Sequence, residues 1–86
     1  MFYTYEQIQN IRNDLYNLVA VFERPGFIAP PSLLHDVQGL KKELHHYDTL
    51  LNELGRGNVC RDFQLCRAFD KTKNLISTIK IRAGII

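Results

Sequence analysis

The sequence predicts a small all-α bundle of three helices, arranged as a helical hairpin followed by a C-terminal helix. Three observations predict it. Apolar residues recur at three- and four-residue steps through most of the chain. The breaks between those stretches are short and carry Pro or Gly. No earlier segment reads as a strand that could pair with the β-branched C-terminal stretch ISTIKIRAG, so that stretch is assigned to a helix as well.

The 86 residues form one domain, 1–86, divided as helix 4–23, Pro-rich linker 24–31, helix 32–54 and helix 58–83. In the first helix, Thr4 and Gln7 fit a capping box, in which the threonine oxygen accepts from a first-turn amide and the glutamine reaches back. Ile8, Ile11, Leu15, Leu18 and Phe22 then share one side, and Pro25-Gly26 ends the helix. Pro25, Pro30 and Pro31 stiffen the linker, from which Phe27 and Ile28 are expected to tuck into the core. Ser32 is the expected cap of the second helix, whose stripe is Leu33, Val37, Leu40, Leu44, Tyr47, Leu51 and Leu54. Gly39 within it would let a neighbouring helix approach closely.

Gly55 is placed to end the second helix in a left-handed cap, and Asn58 to start the third. On that third helix Leu65, Phe69, Thr72, Ile76, Ile79, Ala83 and Ile86 share the core face. Leu34, Leu50, Phe63, Ile81 and Ile85 fall outside the stripes. A monomer would expose them, so the pattern predicts a homo-oligomer.

Composition narrows the function. Hydrophobic residues make up 45% and charged residues 23% of the chain, a balance that suits an ordered fold and argues against a disordered tail. No apolar run is long enough to span a bilayer, and MFYTYEQ lacks the features of a signal peptide, so a cytoplasmic protein without a membrane partner is expected. Two cysteines in such a chain read as free thiols. On a continuous helix Cys60 and Cys66 are about 9 Å apart along the axis, too far to bridge.

The net charge of +2 is unevenly spread. Residues 55–86 hold Arg56, Arg61, Arg67, Lys71, Lys73, Lys80 and Arg82 against Asp62 and Asp70, a balance of +5. Such asymmetry points to an anionic partner or to an internal match with the more acidic first two helices. Arg67, Lys71, Asn74, Thr78 and Arg82 fall on one helical strip, which suits phosphates. Gly55-Arg56-Gly57-Asn58 lacks the Gly-Lys-Ser/Thr ending of a P-loop, but amides opening a helix beside Arg56 and Arg61 would complete an anion pocket.

No metal ligation is expected from His35, His45 and His46: His45 and His46 diverge by about 100° on a helix and neither has a carboxylate or histidine at the four-residue step, though Glu43 and His46, three apart, could meet. Nor is a catalytic set: no paired carboxylates and no nucleophile motif stand out, so the chain reads as non-enzymatic and without cofactor.

Leu65, Ala68, Lys71, Lys73, Arg82 and Ala83 give the segment LCRAFDKTKNLISTIKIRAGI a resemblance to the last helix of small phage proteins that sequester cyclic-nucleotide signals of bacterial immunity. The resemblance needs a one-residue shift and lacks the Glu-Ala-x-Met-Trp core of that group. It implies a small helical oligomer whose basic and aromatic residues hold phosphates and bases between subunits.

The resulting expectation is a binding protein that sequesters a phosphate-bearing, nucleotide-like small molecule through Arg56, Arg61, Arg67, Lys71 and Arg82, with Tyr3 and Tyr5 as stacking platforms. Two alternatives stand beside it. One is a protein-interaction module or inhibitor using the exposed leucines and isoleucines. The other is nucleic-acid binding by the basic third helix, which ranks last because the acidic first two helices would repel a duplex.

Overall fold

The structure, a computed structural model, describes residues 1–28 and 31–84, apart from the side chain of Leu34. Pro30 of the linker, the Leu34 side chain, Ile85 and the core-stripe residue Ile86 therefore lie outside the described residues. The chain runs β1 (Tyr3–Thr4), α1 (Tyr5–Phe22), α2 (Pro31–Leu54), β2 (Val59–Cys60) and α3 (Phe63–Arg82). It is mostly helical and measures about 40 × 20 × 20 Å.

Helix α1 begins as its local chemistry dictates. The Gln7 amide donates to Thr4 Oγ1 at 3.1 Å and the Thr4 amide donates to Gln7 Oε1 at 2.9 Å, which completes the capping box. Ile8, Ile11, Leu15 and Leu18 are buried along one side, with Val19 beside them. After the helix, the Phe27 ring meets the Phe22 ring edge-on at 5.4 Å. Ile28, expected in the core, is instead 91% exposed.

Helix α2 starts one residue earlier than expected. Pro31 occupies its first position, where a missing amide hydrogen costs no helical bond, so Ser32 is helical rather than the cap. Leu33, Val37, Leu40, Tyr47 and Leu51 of the stripe are buried, and Leu44 and Leu54 are partly so. Gly55 ends the helix with φ +80°, and its amide donates to the Leu51 carbonyl at 3.0 Å.

Beyond that point the chain departs from the expected continuous helix over 58–83. Asn58 does not start α3. Its side-chain amide donates back to the Leu54 carbonyl at 2.6 Å and its backbone amide donates to Gly55, so it closes the end of α2. Val59 and Cys60 then extend and pair antiparallel with Thr4 and Tyr3, respectively. Asp62 caps α3, accepting from the Leu65 amide at 3.1 Å. Asn58 and Asp62 are both good caps, and the pairing with β1 selects the later one.

From Phe63 to Arg82 the helix is continuous, including most of the β-branched stretch. Cys66, Phe69, Thr72, Ile76 and Ile79 are buried, whereas Leu65, expected on the core face, is 37% exposed. Off the stripes, Phe63 and Ile81 are exposed as expected, and Leu50 packs partly against the core. Helix α1 packs on both α2 and α3, while α2 and α3 make little backbone contact with one another. Ion pairs Arg12–Asp48 at 2.8 Å and Lys41–Glu23 at 2.5 Å join α2 to α1 and its C-terminal end. On its other side α2 reaches α3 through the Tyr47 and Phe69 rings, 5.7 Å apart, and the Arg82–Asp36 pair at 3.6 Å. A seam stays open between those two contacts and beyond the ring pair.

Candidate functional site

The five cations nominated from the sequence occupy four places. Arg56 lies exposed in the turn after α2. Arg61 lies exposed between β2 and α3, its guanidinium 5.6 Å from the centre of the Phe2 ring. Because residues 58–62 are not helical, the glycine turn does not open a helix, and the expected anion pocket of free helix-start amides is not formed.

Arg67 and Lys71 are exposed one turn apart on α3, with Arg67 stacked 5.8 Å over Phe63. Arg82 is engaged with Asp36 and lies roughly 22 Å along the helix from Arg67. Arg67, Lys71, Asn74, Thr78 and Arg82 do form the expected exposed strip. It is a ridge rather than a pocket, and the five cations do not converge on one small ligand within a single chain.

Tyr3 is placed differently from a stacking platform. Its ring is buried edge-on against Phe69 at 5.1 Å, its hydroxyl donates to the Asp70 carboxylate, and the Lys73 ammonium lies 5.9 Å from the ring centre. Burial and the neighbouring carboxylate push the phenol up to about 12. Tyr5 is half-buried against the core. Both tyrosines therefore hold the N-terminal segment to the bundle, and Phe2 is the exposed ring at this end.

Both cysteines are free and buried. The bend at Arg61–Asp62 brings Cys66 back over Cys60, so that its Sγ donates to the Cys60 carbonyl at 3.5 Å. The separation expected on one continuous helix does not apply. Burial pushes the Cys66 thiol up, leaving little thiolate at neutral pH. Glu43 and His46, one turn apart, approach to 3.7 Å. No cluster of three or more His, Cys, Asp or Glu positioned to hold a metal occurs among the described residues.

Two hollows lie in series along the α2–α3 seam. The first, about 350 Å³, is floored by Gly39, Leu40, Leu75 and Ile79, with Asp36, Lys42 and Glu43 among its polar border. A side-chain carbon added at Gly39 would meet no atom within 4 Å, so the close helix approach expected there is not made by α3, and the position is open. The second hollow, about 240 Å³, is bounded by Tyr47, Leu50, Leu65, Ala68 and Phe69, with Glu43 and His46 at its mouth. Leu75 is 45% exposed at this seam. It falls about 100° from Ile76 on the helix, outside the core stripe, which is why periodicity passed over it.

Both signs of charge line the seam: Asp36, Lys42 and Glu43 border the first hollow, and Glu43 borders the second as well. Asp36 pairs with Arg82, whereas Glu43 lies 3.7 Å from the His46 ring, an ion pair only when that ring is protonated. Lys42 and Lys71 have no carboxylate within ion-pair distance among the described residues. Lys71 lies one turn from both Ala68 and Leu75 on α3 but lines neither hollow. A further polar hollow between α1 and α3, near β1, gathers Gln7, Asn10, Asp14 and Lys73. None of the five nominated cations lines these hollows.

Compared with known families, characterised proteins and solved structures, the chain matches none of them. The resemblance to phage nucleotide sponges thus rests on the α3 residues alone. No helix among the described residues is long and apolar enough to cross a membrane.

Proposed function

We propose that this protein is a non-enzymatic interaction module that binds another polypeptide through the seam between α2 and α3. The observation that carries this reading is the pair of apolar-floored hollows left open by two helices that both pack on α1. Leu65 and Leu75 are large apolar side chains exposed in line along that seam. Exposed large apolar side chains set at open hollows are costly in water and are found at binding faces.

A photo-crosslinking residue at position 75, compared with one at the exposed Ala20 on α1, tests the reading in a lysate of the source cells. A discrete crosslinked species from position 75, absent from position 20 and lost with Leu65→Glu, supports it. Equal labelling from both positions, or none from position 75, contradicts it.

A second reading is favoured by one observation: Arg67 and Lys71 are exposed one turn apart on α3, with Asn74 and Thr78 continuing the strip. That ridge would hold a phosphate-bearing small molecule if another subunit closed over it. Stoichiometric retention of a cyclic nucleotide in equilibrium dialysis, abolished by Arg67→Ala with Lys71→Ala, would favour this reading over the first.

A further inference from the structure

We propose that Cys60 and Cys66 are a dithiol couple: exchange with a low-molecular-weight disulfide joins their sulfurs and locks β2 covalently onto the first turn of α3. Neither cysteine lines the α2–α3 hollows, so the couple stands independently of the reading of the seam.

Placement argues for it. A disulfide needs two cysteines whose side chains are neighbours before they react. One continuous helix would hold residues six apart about 9 Å from each other along its axis. Instead Cys60 lies in extended backbone, the chain turns at Arg61–Asp62, and Asp62 caps α3 so that Cys66 falls in its first turn. The Cys66 thiol then reaches back to the Cys60 carbonyl at 3.5 Å, in a buried contact. Burial pushes that thiol up, and the Cys60 thiol adds to the effect through its charge and a hydrogen bond, which sets the two side chains against one another. Each sulfur turns about a single side-chain bond, which gives both the freedom to meet. The chain holds two cysteines, so neither has another intramolecular partner.

Access sets the order of the steps. Cys60 is 7% exposed and Cys66 0%. Brief opening of the two-residue ladder between β1 and β2 uncovers Cys60 first. Its thiolate, formed by loss of the proton to solvent, attacks one sulfur of the small disulfide, and the other half leaves as a thiolate that takes up a proton. The mixed disulfide on Cys60 then faces Cys66. The Cys66 thiol gives its proton to solvent, its sulfur attacks Cys60 Sγ, and the second small thiolate leaves and is protonated. The two cysteines are oxidised by two electrons, and one small disulfide is reduced to two small thiols.

The bond closes a ring over residues 60–66, around the Arg61–Asp62 bend. Cys60 is the ladder partner of Tyr3, and the Tyr3 ring packs on Phe69 of α3. The disulfide therefore holds covalently the corner that Tyr3 holds by packing, and reduction returns that corner to packing alone.

The test exposes the folded full chain to oxidised glutathione and follows acid-quenched mass spectra with time. The expected product is a monomer lighter by about 2 Da, two hydrogens, with no glutathione retained. Its far-ultraviolet circular dichroism should be unchanged, and it should melt about 5–10 °C above the same sample reduced with dithiothreitol. Tyr3→Ala should form the bond faster, because its ladder opens more readily. Cys66→Ala should stop at a glutathione adduct on Cys60.

A stable glutathione adduct on the wild-type chain, a dimer linked through cysteine, or a bond that forms only in urea overturns the proposal. So does an oxidised chain that melts no higher than the reduced one. The wild-type spectra and melts decide the point even where a substituted chain folds poorly.

Discussion

The hydroxyl of Tyr3 donates to the carboxylate of Asp70, a contact between residues 67 positions apart that ties β1 to α3. With the ring buried against Phe69 and the backbone paired to Cys60, it fixes the end of the bundle where α3 begins. Tyr3→Phe keeps the packing and removes the hydrogen bond, and should cost about 1–2 kcal/mol. Tyr3→Ala also removes the ring and should cost about 3 kcal/mol or more. Urea unfolding of the two variants separates the contributions.

Alkaline pH should destabilise the fold. Tyr3 and Tyr47 are both pushed up to about 12 from an ordinary value of 10, chiefly by burial. A folded-state value above the unfolded one means that the folded chain holds the proton more tightly. The stabilisation is therefore complete below pH 10 and is lost as pH rises through 12, by up to about 2–3 kcal/mol per tyrosine. Tyrosinate absorbance followed together with circular dichroism should show two of the four tyrosines ionising as the helices unfold.

Two glycines should respond oppositely to alanine. At Gly39, inside α2, the added carbon meets nothing within 4 Å, so Gly39→Ala should stabilise by about 1 kcal/mol. At Gly55, φ is +80° and the added carbon would approach Asn58 Nδ2 to 3.3 Å, so Gly55→Ala should destabilise by about 1 kcal/mol or more. Thermal melts of both variants check the signs.

The thiols should be slow to react. Cys60 and Cys66 are buried, and the Cys66 thiol donates a hydrogen bond to the Cys60 carbonyl. Labelling by a thiol reagent at neutral pH should be far slower in the folded protein than in denaturant, and should accelerate in Tyr3→Ala, which loosens the strand paired with Cys60.

Which features were legible in the sequence follows from whether their cause is local. The Thr4–Gln7 box, the Gly55 cap and the stripes of α1 and α2 are set by neighbours a turn away, and they appear in the structure as read. The start of α3 was not legible, because Asn58 and Asp62 are both competent caps and the choice depends on Tyr3 and Thr4 pairing with Cys60 and Val59. A two-residue ladder has no periodicity to detect. The same pairing explains why Tyr3 is buried and why the two cysteines lie close.

The exposed ridge of Arg67 and Lys71 could be read from helical spacing. The seam could not, because it is created by α2 and α3 packing on α1 without closing on each other, a relation between elements that no single stripe encodes. Leu75 and Gly39 gain their significance only from that relation.

Amide chemical-shift mapping during titration with a peptide from the species crosslinked at position 75 tests the central claim most directly. Shifts concentrated on residues 36–50 of α2 and 65–79 of α3, with Gly39 and Leu75 among the largest, are the expected result. Shifts confined to the outer face of α1 or to the β1–β2 ladder would contradict the assignment of the seam as the binding face.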